Sequence, residues 1–492
     1  MTRIAIDPKR VLGQVDRNVF GGFVEHLGRC IYGGLYEEGS PLSDDRGFRK
    51  DVVSLLRDLR MGVLRWPGGN FVSNYHWQDG IGPKDARPSR PDLAWGGTES
   101  NRFGTDDFLT YCAELGAEPY ICLNMGTGTL EEALAWLEYC NGDRSTYWAN
   151  KRRQNGRAEP YRVSYWGLGN EMYGEWQVGA MSADEYVREA TRWARALKFL
   201  DPDIQIISCG KTGWNEWDRI VVEGMAHLVD YHSIHIYTGS HDYWTNVLQP
   251  HQAERAIRSA QALIDRTAYR RKISNPPKIA YDEWNVWYRK MTVDLEERYT
   301  FPDALAVGTY LNIFVRNSAS VKMANLAQMV NAIAPIVTTP DTATVQPIYY
   351  PVLLHAQAAL QDAVDIHVYG PHLDPVWPDS TGRWPYVVKD LAPFTTVDAA
   401  ATVSANKNRL AVTLVNRDPS HAETPEIVLR DAAFAGPAEI RTVTAGGPAE
   451  SRVLPDVATA HLENGTENPK DGTVVLTLPP QSFTVIEAAI NC

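Results

Sequence analysis

The chain has 492 residues, 44% of them hydrophobic and 22% charged, close to the globular averages, which excludes a disordered, collagen-like or membrane-spanning polypeptide. Lys and Arg number 48 against 60 Asp and Glu, and the formal charge of -12 argues against nucleic-acid phosphates or anionic lipid as partners and favours a neutral ligand. At about 150 residues per domain the length allows two to four domains, or one large barrel with an attachment.

The segment MTRIAIDPKRVLGQ contains no apolar run of signal-peptide length, and no window approaches ~18 consecutive apolar residues, so the expected location is cytoplasmic. Within it Arg3-Ile4-Ala5-Ile6-Asp7 alternates, and residues 1–17 are expected to add a strand to a C-terminal domain. From 18 to 372 short strand-like runs (19–25, 62–66, 118–124, 164–171, 204–209, 231–237, 278–283 and 321–326) alternate with helix-period stretches, with Asp106 and Ser182 as N-caps. Eight such units predict an α/β fold, a (β/α)8 TIM barrel, and at about 340 residues it needs long loops. Segments 67–104 and 125–161, rich in Gly, Trp and Asn, follow strand ends and read as those loops. From 373 to 492 period-two runs such as 409–415 and 474–478, separated by Gly, Asn, Asp and Pro, predict a jelly-roll-like all-β sandwich. Six cysteines without a CxxC pair (Cys30, Cys112, Cys122, Cys140, Cys209, Cys492) predict thiols that are mostly buried, and the sequon Asn464-Gly465-Thr466 reads as a turn.

Two runs end in chemistry. Tyr165-Trp166-Gly167-Leu168-Gly169-Asn170-Glu171 and Ile279-Ala280-Tyr281-Asp282-Glu283-Trp284 each deliver a glutamate to the barrel mouth, three strands apart. Glycoside hydrolysis uses such a pair: one carboxyl protonates the departing oxygen, and the other attacks the anomeric carbon or activates water, according to their separation. Arg65 is placed to pair with Glu283 or Glu25, its charge favouring an ionised carboxylate.

Gly-Gly-Phe-Val-Glu-His-Leu-Gly-Arg-Cys-Ile-Tyr-Gly-Gly (21–34), Arg-Trp-Pro-Gly-Gly-Asn-Phe-Val-Ser (65–73), Thr-Glu-Ser-Asn (98–101), Gly-Leu-Gly-Asn-Glu (167–171) and Tyr-Asp-Glu-Trp-Asn (281–285), in this order along the barrel, resemble the α-L-arabinofuranosidases of glycoside hydrolase family 51. The resemblance implies an exo-acting retaining hydrolase of arabinan- or arabinoxylan-derived oligosaccharides, with Glu171 as general acid/base, protonated near neutral pH, and Glu283 as nucleophile. It further implies that Glu25, Asn70, Asn170 and Gln346 bind sugar hydroxyls, that Trp95 walls the pocket, and that Tyr237 contacts the nucleophile. It implies a homo-oligomer, often a hexamer.

The remaining motifs argue against other chemistry. His232 and His235 form an HxxH pair whose spacing on a strand sends the side chains to opposite faces, so no metal is expected. Lys151 to Arg157 is the one compact basic run and reads as a solvated loop, not a nucleic-acid contact. Gly126-Thr127-Gly128 lacks the rest of a dinucleotide fingerprint, and no cofactor is expected. The alternatives are a retaining β-glycosidase or endoglucanase on the same barrel, which would need an open groove, and a non-catalytic carbohydrate-binding protein, which would not need both glutamates.

Overall fold

The computed structural model describes residues 2–288, 295–373, 388–446, 454 and 456–492; residues 374–387 and 447–453 of the expected sandwich lie outside the described residues. The chain opens with β1 (Arg3–Gln14), and eight parallel strands follow: β2 (Gly21–Phe23), β3 (Val63–Trp66), β4 (Glu118–Leu123), β5 (Tyr165–Leu168), β6 (Gln205–Ser208), β7 (Tyr231–Thr238), β8 (Lys278–Val286) and β9 (Val321–Ala327). They close in chain order into a barrel, each expected run supplying one strand. The lower interior is filled by Val63, Tyr120, Ile207, Tyr231, Ala280 and Met323, an apolar plug that leaves polar chemistry for the opposite end.

The helices are α1 (Lys50–Asp58), α2 (Thr105–Leu115), α3 (Leu130–Asn141), α4 (Tyr147–Gln154), α5 (Ala183–Leu200), α6 (Glu216–Met225), α7 (Tyr243–Leu248), α8 (His251–Arg271), α9 (Phe301–Arg316) and α10 (Tyr349–Ala358). Ser182 caps α5, its hydroxyl accepting from the Glu185 amide while Glu185 reaches back to the cap. Asp106 does not cap α2: Gly104 holds that position, and Asp106 sits one residue inside the helix, accepting from the hydroxyls of Tyr139 and Tyr161. Segment 125–161 is not an open loop but carries α3 and α4. The basic run lies on α4, where Arg152 is buried and donates to the Tyr139 carbonyl, so its charge is structural.

The C-terminal domain is one mixed sheet of nine strands. In chain order they are β1, β10 (Asp362–Tyr369), β11 (Val397–Val403), β12 (Arg409–Asn416), β13 (Glu426–Leu429), β14 (Ala433–Ala445), β15 (Ala460–Glu467), β16 (Thr473–Val475) and β17 (Ser482–Asn491). Their order across the sheet is β15-β14-β17-β12-β11-β10-β1-β13-β16. The expected boundary at 372 falls after β10, which pairs antiparallel with β1. The sequon lies within β15, exposed in an extended strand rather than a turn. The two layers come from this one sheet folding over itself: Ile4, Ile6, Ile427 and Val474 from one end share a core with Leu410, Val412, Leu414 and Ile486.

The other face of β12 and β17 meets the barrel, where Ala411, Val415, Phe483 and Val485 pack against Phe301, Ala304 and Leu305 of α9. Buried between the two domains, α9 is apolar nearly all round. Gly308 makes room there, since a Cβ at this position would stand 3.0 Å from the Phe483 ring. Phe483→Ala should therefore destabilise the protein by about 3–5 kcal/mol, read from urea unfolding.

Candidate active site

The polar end of the barrel is organised around Arg65, at the middle of β3 and 1% exposed. Its Nη1 donates to Glu283 Oε1 at 2.7 Å and its Nη2 to Asn170 Oδ1 at 2.6 Å, so the arginine takes Glu283 rather than Glu25 as its partner. Tyr237 donates its hydroxyl to Glu283 Oε2 at 2.9 Å, so both Glu283 oxygens are held. Asn170 Nδ2 is buried without a partner among the described residues, an unused donor at the mouth.

Glu171 follows Gly169, whose φ of 76° suits glycine, and itself adopts φ 43°. For a non-glycine residue this left-handed backbone costs about 1–3 kcal/mol, strain that surrounding contacts must offset. They are evident: Tyr173 donates to Oε1 at 2.9 Å, the Trp176 indole to Oε2 at 3.1 Å, and His235 Nδ1 lies 3.1 Å from Oε1. One oxygen of Glu171, one of Glu283 and a nitrogen of His235 lie within 4.8 Å of one another.

His235 is the residue that the HxxH reading passed over. His232 does face away, toward Ser208 and Asp218, but His235 lies inside, 3.1 Å from Glu171, 3.5 Å from Glu283 and 3.3 Å from Asp282. Burial alone would depress its pKa, yet the charge of Glu283 and the hydrogen bonds to Asp282 and Glu171 push it up to about 10. The signal was present in the sequence, because His235 is two residues from Tyr237 and so shares its face.

Asp282 was also missed, for a different reason. Ala280 pairs with Ser233 but Glu283 pairs with His235, so β8 carries one extra residue against β7. This bulge lets consecutive carboxylates both enter the barrel, where strict alternation would send one outward. Burial would raise the Asp282 pKa, but Arg65, His235 and Ser233 hold it well below the usual range, and Tyr120 donates to it at 2.8 Å.

The surroundings of Glu171 act on its proton in both directions. Burial raises its pKa, but the hydrogen bonds and charge of His235, together with Tyr173 and Trp176, bring it below the ordinary value.

Glu25 lies near enough to feel the charges of Glu283 and Arg65. Its Oε1 accepts from the Phe71 amide and the Trp95 indole, each at 3.0 Å, and its Oε2 from Gln328 at 3.0 Å. Burial pushes its carboxyl up to about 7 against those donors. Gly69 has no room for a side chain, as a Cβ would lie 2.4 Å from Glu25 Oε2. Asn70, half-buried, opens the short turn after Gly69. Gln346 is not brought to the carboxylates: fully buried, it donates to the carbonyls of Glu297 and Ala334 and accepts from the Tyr299 amide, because a buried amide must be satisfied and backbone groups are nearest.

Among the described residues no helix is long and apolar enough to cross a membrane. Residues 55–255 match the family model described as alpha-L-arabinofuranosidase 1 domain, and residues 282–482 match that described as alpha-L-arabinofuranosidase C-terminal domain. The chain is 49% identical over 383 residues, covering 74% of it and 76% of the relative, to alpha-L-arabinofuranosidase C of Emericella nidulans. It is 37% identical over 451 residues, 87% of each chain, to intracellular exo-alpha-(1->5)-L-arabinofuranosidase 1 of Bacillus subtilis. The solved GH51 alpha-L-arabinofuranosidase of Thermotoga petrophila superposes with a TM-score of 0.88 at 43% identity, over 99% of this chain and 100% of that one.

Arg65→Met should cost about 3–5 kcal/mol in chemical unfolding, since it leaves Asp282 and Glu283 buried without their cation and Asn170 without its donor.

Proposed function

The chain belongs to the family 51 α-L-arabinofuranosidases, and from that premise we propose that it removes terminal non-reducing arabinofuranosyl residues from arabinan- or arabinoxylan-derived oligosaccharides with retention of configuration. The observation that carries the mechanism is the closeness of Glu171 and Glu283, with carboxylate oxygens within 4.8 Å. Retaining enzymes hold their carboxyls about 5–5.5 Å apart, whereas inverting ones leave about 6.5–9.5 Å for a water.

In the first step a Glu283 oxygen attacks the anomeric carbon. The glycosidic C–O bond breaks toward the leaving oxygen, which takes a proton from Glu171 that Glu171 draws from His235 at 3.1 Å. In the second step Glu171 accepts a proton from water and passes it to His235, the water oxygen attacks the same carbon, and Glu283 departs as carboxylate. Glu25, Asn70 and the free Nδ2 of Asn170 take sugar hydroxyls under the Trp95 ring, and Tyr237 steadies Glu283. Gln346 supports this pocket through the backbone that it ties. The intracellular description of the Bacillus subtilis relative supports a cytoplasmic site of action on imported oligosaccharides. Assembly into a homo-oligomer follows from the family resemblance, and sedimentation of the purified chain decides it.

Glu283→Ala should abolish turnover of 4-nitrophenyl α-L-arabinofuranoside, and Glu171→Ala should slow glycosides with poor leaving groups by about 10²–10⁴. Azide should restore Glu171→Ala and yield the azide adduct of retained configuration by NMR; an inverted product would overturn the double displacement. His235→Asn removes the proton holder and its attraction on Glu171. The wild-type alkaline limb of kcat/KM reports loss of a proton held up to about 10, so it should move at least ~2 pH units downward in the variant.

A further inference from the structure

The Thr98-Glu99-Ser100-Asn101 motif has no part in the steps above, yet it builds a second buried cluster directly behind the sugar pocket. Glu99 is 6% exposed. Its Oε2 lies 2.7 Å from His26 Nδ1, and its Oε1 accepts from the Tyr32 hydroxyl and, at 2.5 Å, from the Asn101 amide. The Trp66 indole donates to His26 Nε2 at 3.1 Å; an indole N–H cannot accept, so Nε2 is the acceptor and the remaining ring proton faces Glu99. Every hydrogen-bonding partner of this carboxylate is thus a donor.

Glu99 sits at the base of a tight hairpin in which Arg90 pairs with Glu99 and Pro91 with Thr98. Asp92 accepts from the amides of Ala94 and Trp95 at the tip, and Gly96 and Gly97 take φ of 82° and 84° to complete the turn. The hairpin carries Trp95, whose indole rests on Glu25. Glu25 and His26 are consecutive, so the end of the first barrel strand grips the hairpin twice, at its tip through Glu25 and at its base through His26. The His26 ring also stacks on Phe71 at 4.6 Å, and the Phe71 amide is the other donor to Glu25 Oε1.

We propose that Glu99 is a positioning residue for the arabinofuranosyl pocket, pinning the 90–101 hairpin to the barrel through His26 and Tyr32 so that the Trp95 indole stays on Glu25. It rests on the reading of Glu25 and Trp95 as the pocket wall. It acts on substrate capture and not on the reacting bonds, because neither Glu171 nor Glu283 touches the cluster.

Glu99→Gln is the discriminating variant. Its shape fits, but an amide must turn its NH2 toward either the His26 N–H or the Asn101 N–H, and one donor is left without an acceptor. With 4-nitrophenyl α-L-arabinofuranoside, Glu99→Gln should raise KM by about tenfold while kcat stays within about threefold, and Trp95→Phe should do the same. The double variant should be no worse than about twofold beyond either single one, because both act through the same indole. A KM rise in Trp95→Phe with none in Glu99→Gln overturns the positioning role alone, as do multiplicative effects in the double variant or a loss confined to kcat. An unchanged KM in Trp95→Phe overturns the pocket reading instead, and the positioning role with it. Should Glu99→Gln not fold, Tyr32→Phe removes one donor to the same carboxylate and should give a KM rise of about threefold that vanishes in the Trp95→Phe background.

Discussion

One buried guanidinium sets the terms for the whole barrel mouth. Arg65 cannot lose its proton, so every group within reach must accept from it or be repelled by it. It stands over the Phe23 ring at 4.4 Å and the Tyr120 ring at 5.6 Å, at the boundary between the apolar plug below and the polar cluster above. Burying that charge is costly unless its partners are fixed. The partners come from different strands: Asn170 follows β5, and Asp282 and Glu283 lie on β8. A charge that is stable only when these strands are in register makes the geometry of the carboxyl pair a consequence of folding, with no loop left to search for it.

The second constraint is space. The barrel is closed tightly enough that glycine is required where a polar side chain leans across a neighbouring strand. A Cβ on Gly167 would stand 2.8 Å from the Tyr120 hydroxyl, which itself donates to Asp282, and a Cβ on Gly69 would strike Glu25. These glycines belong to the motifs on which the family resemblance was drawn, and their role is steric: they let hydrogen-bonding side chains occupy volume that a methyl group would take. The same economy of space recurs at Gly308 under Phe483, where α9 lies close enough to the sheet for one helix to serve both domains.

The fold was legible because its signals are local. Each of the eight expected runs contains a barrel strand, since β-branched and aromatic runs bounded by helix-period segments report burial directly. Glu171 and Glu283 were legible because strand ends in a barrel all point to one mouth, whereas Tyr237 and Asn170 entered through the family resemblance. Asp282 was not, because a bulge is a matter of register between two strands and leaves no mark in the composition of either. His235 was visible through its two-residue spacing from Tyr237, but attention to it as one of a metal-binding pair concealed its place in the carboxyl cluster. Gln346 entered through the resemblance alone, and its amide is bonded to backbone groups of residues 297, 299 and 334, which no motif reveals. The helices within 125–161 were hidden by a polar composition that reads as loop when tertiary contacts, such as the buried Arg152, are left out.

The location of the acid proton follows from the network and from no pair within it. Burial alone would favour a protonated Glu171. His235 changes that outcome because the three carboxylates around it push its pKa up to about 10, and in the proposed mechanism Arg65 and His235 count as cations against Asp282, Glu283 and Glu171 as anions, a net charge of one negative. In the proposed first step Glu283 loses its charge to an ester bond, and one proton leaves with the alcohol. Arg65, Asp282 and Glu171 remain charged, His235 is neutral, and the sum is unchanged. The second step restores both changes. A site this deeply buried can therefore pass through the covalent intermediate without gaining or losing net charge, which avoids the desolvation penalty of an uncompensated ion. Histidine is the side chain suited to hold that proton, because its two nitrogens span Glu171 on one side and Asp282 on the other, and Asp282 stays charged throughout to set the basicity of the ring.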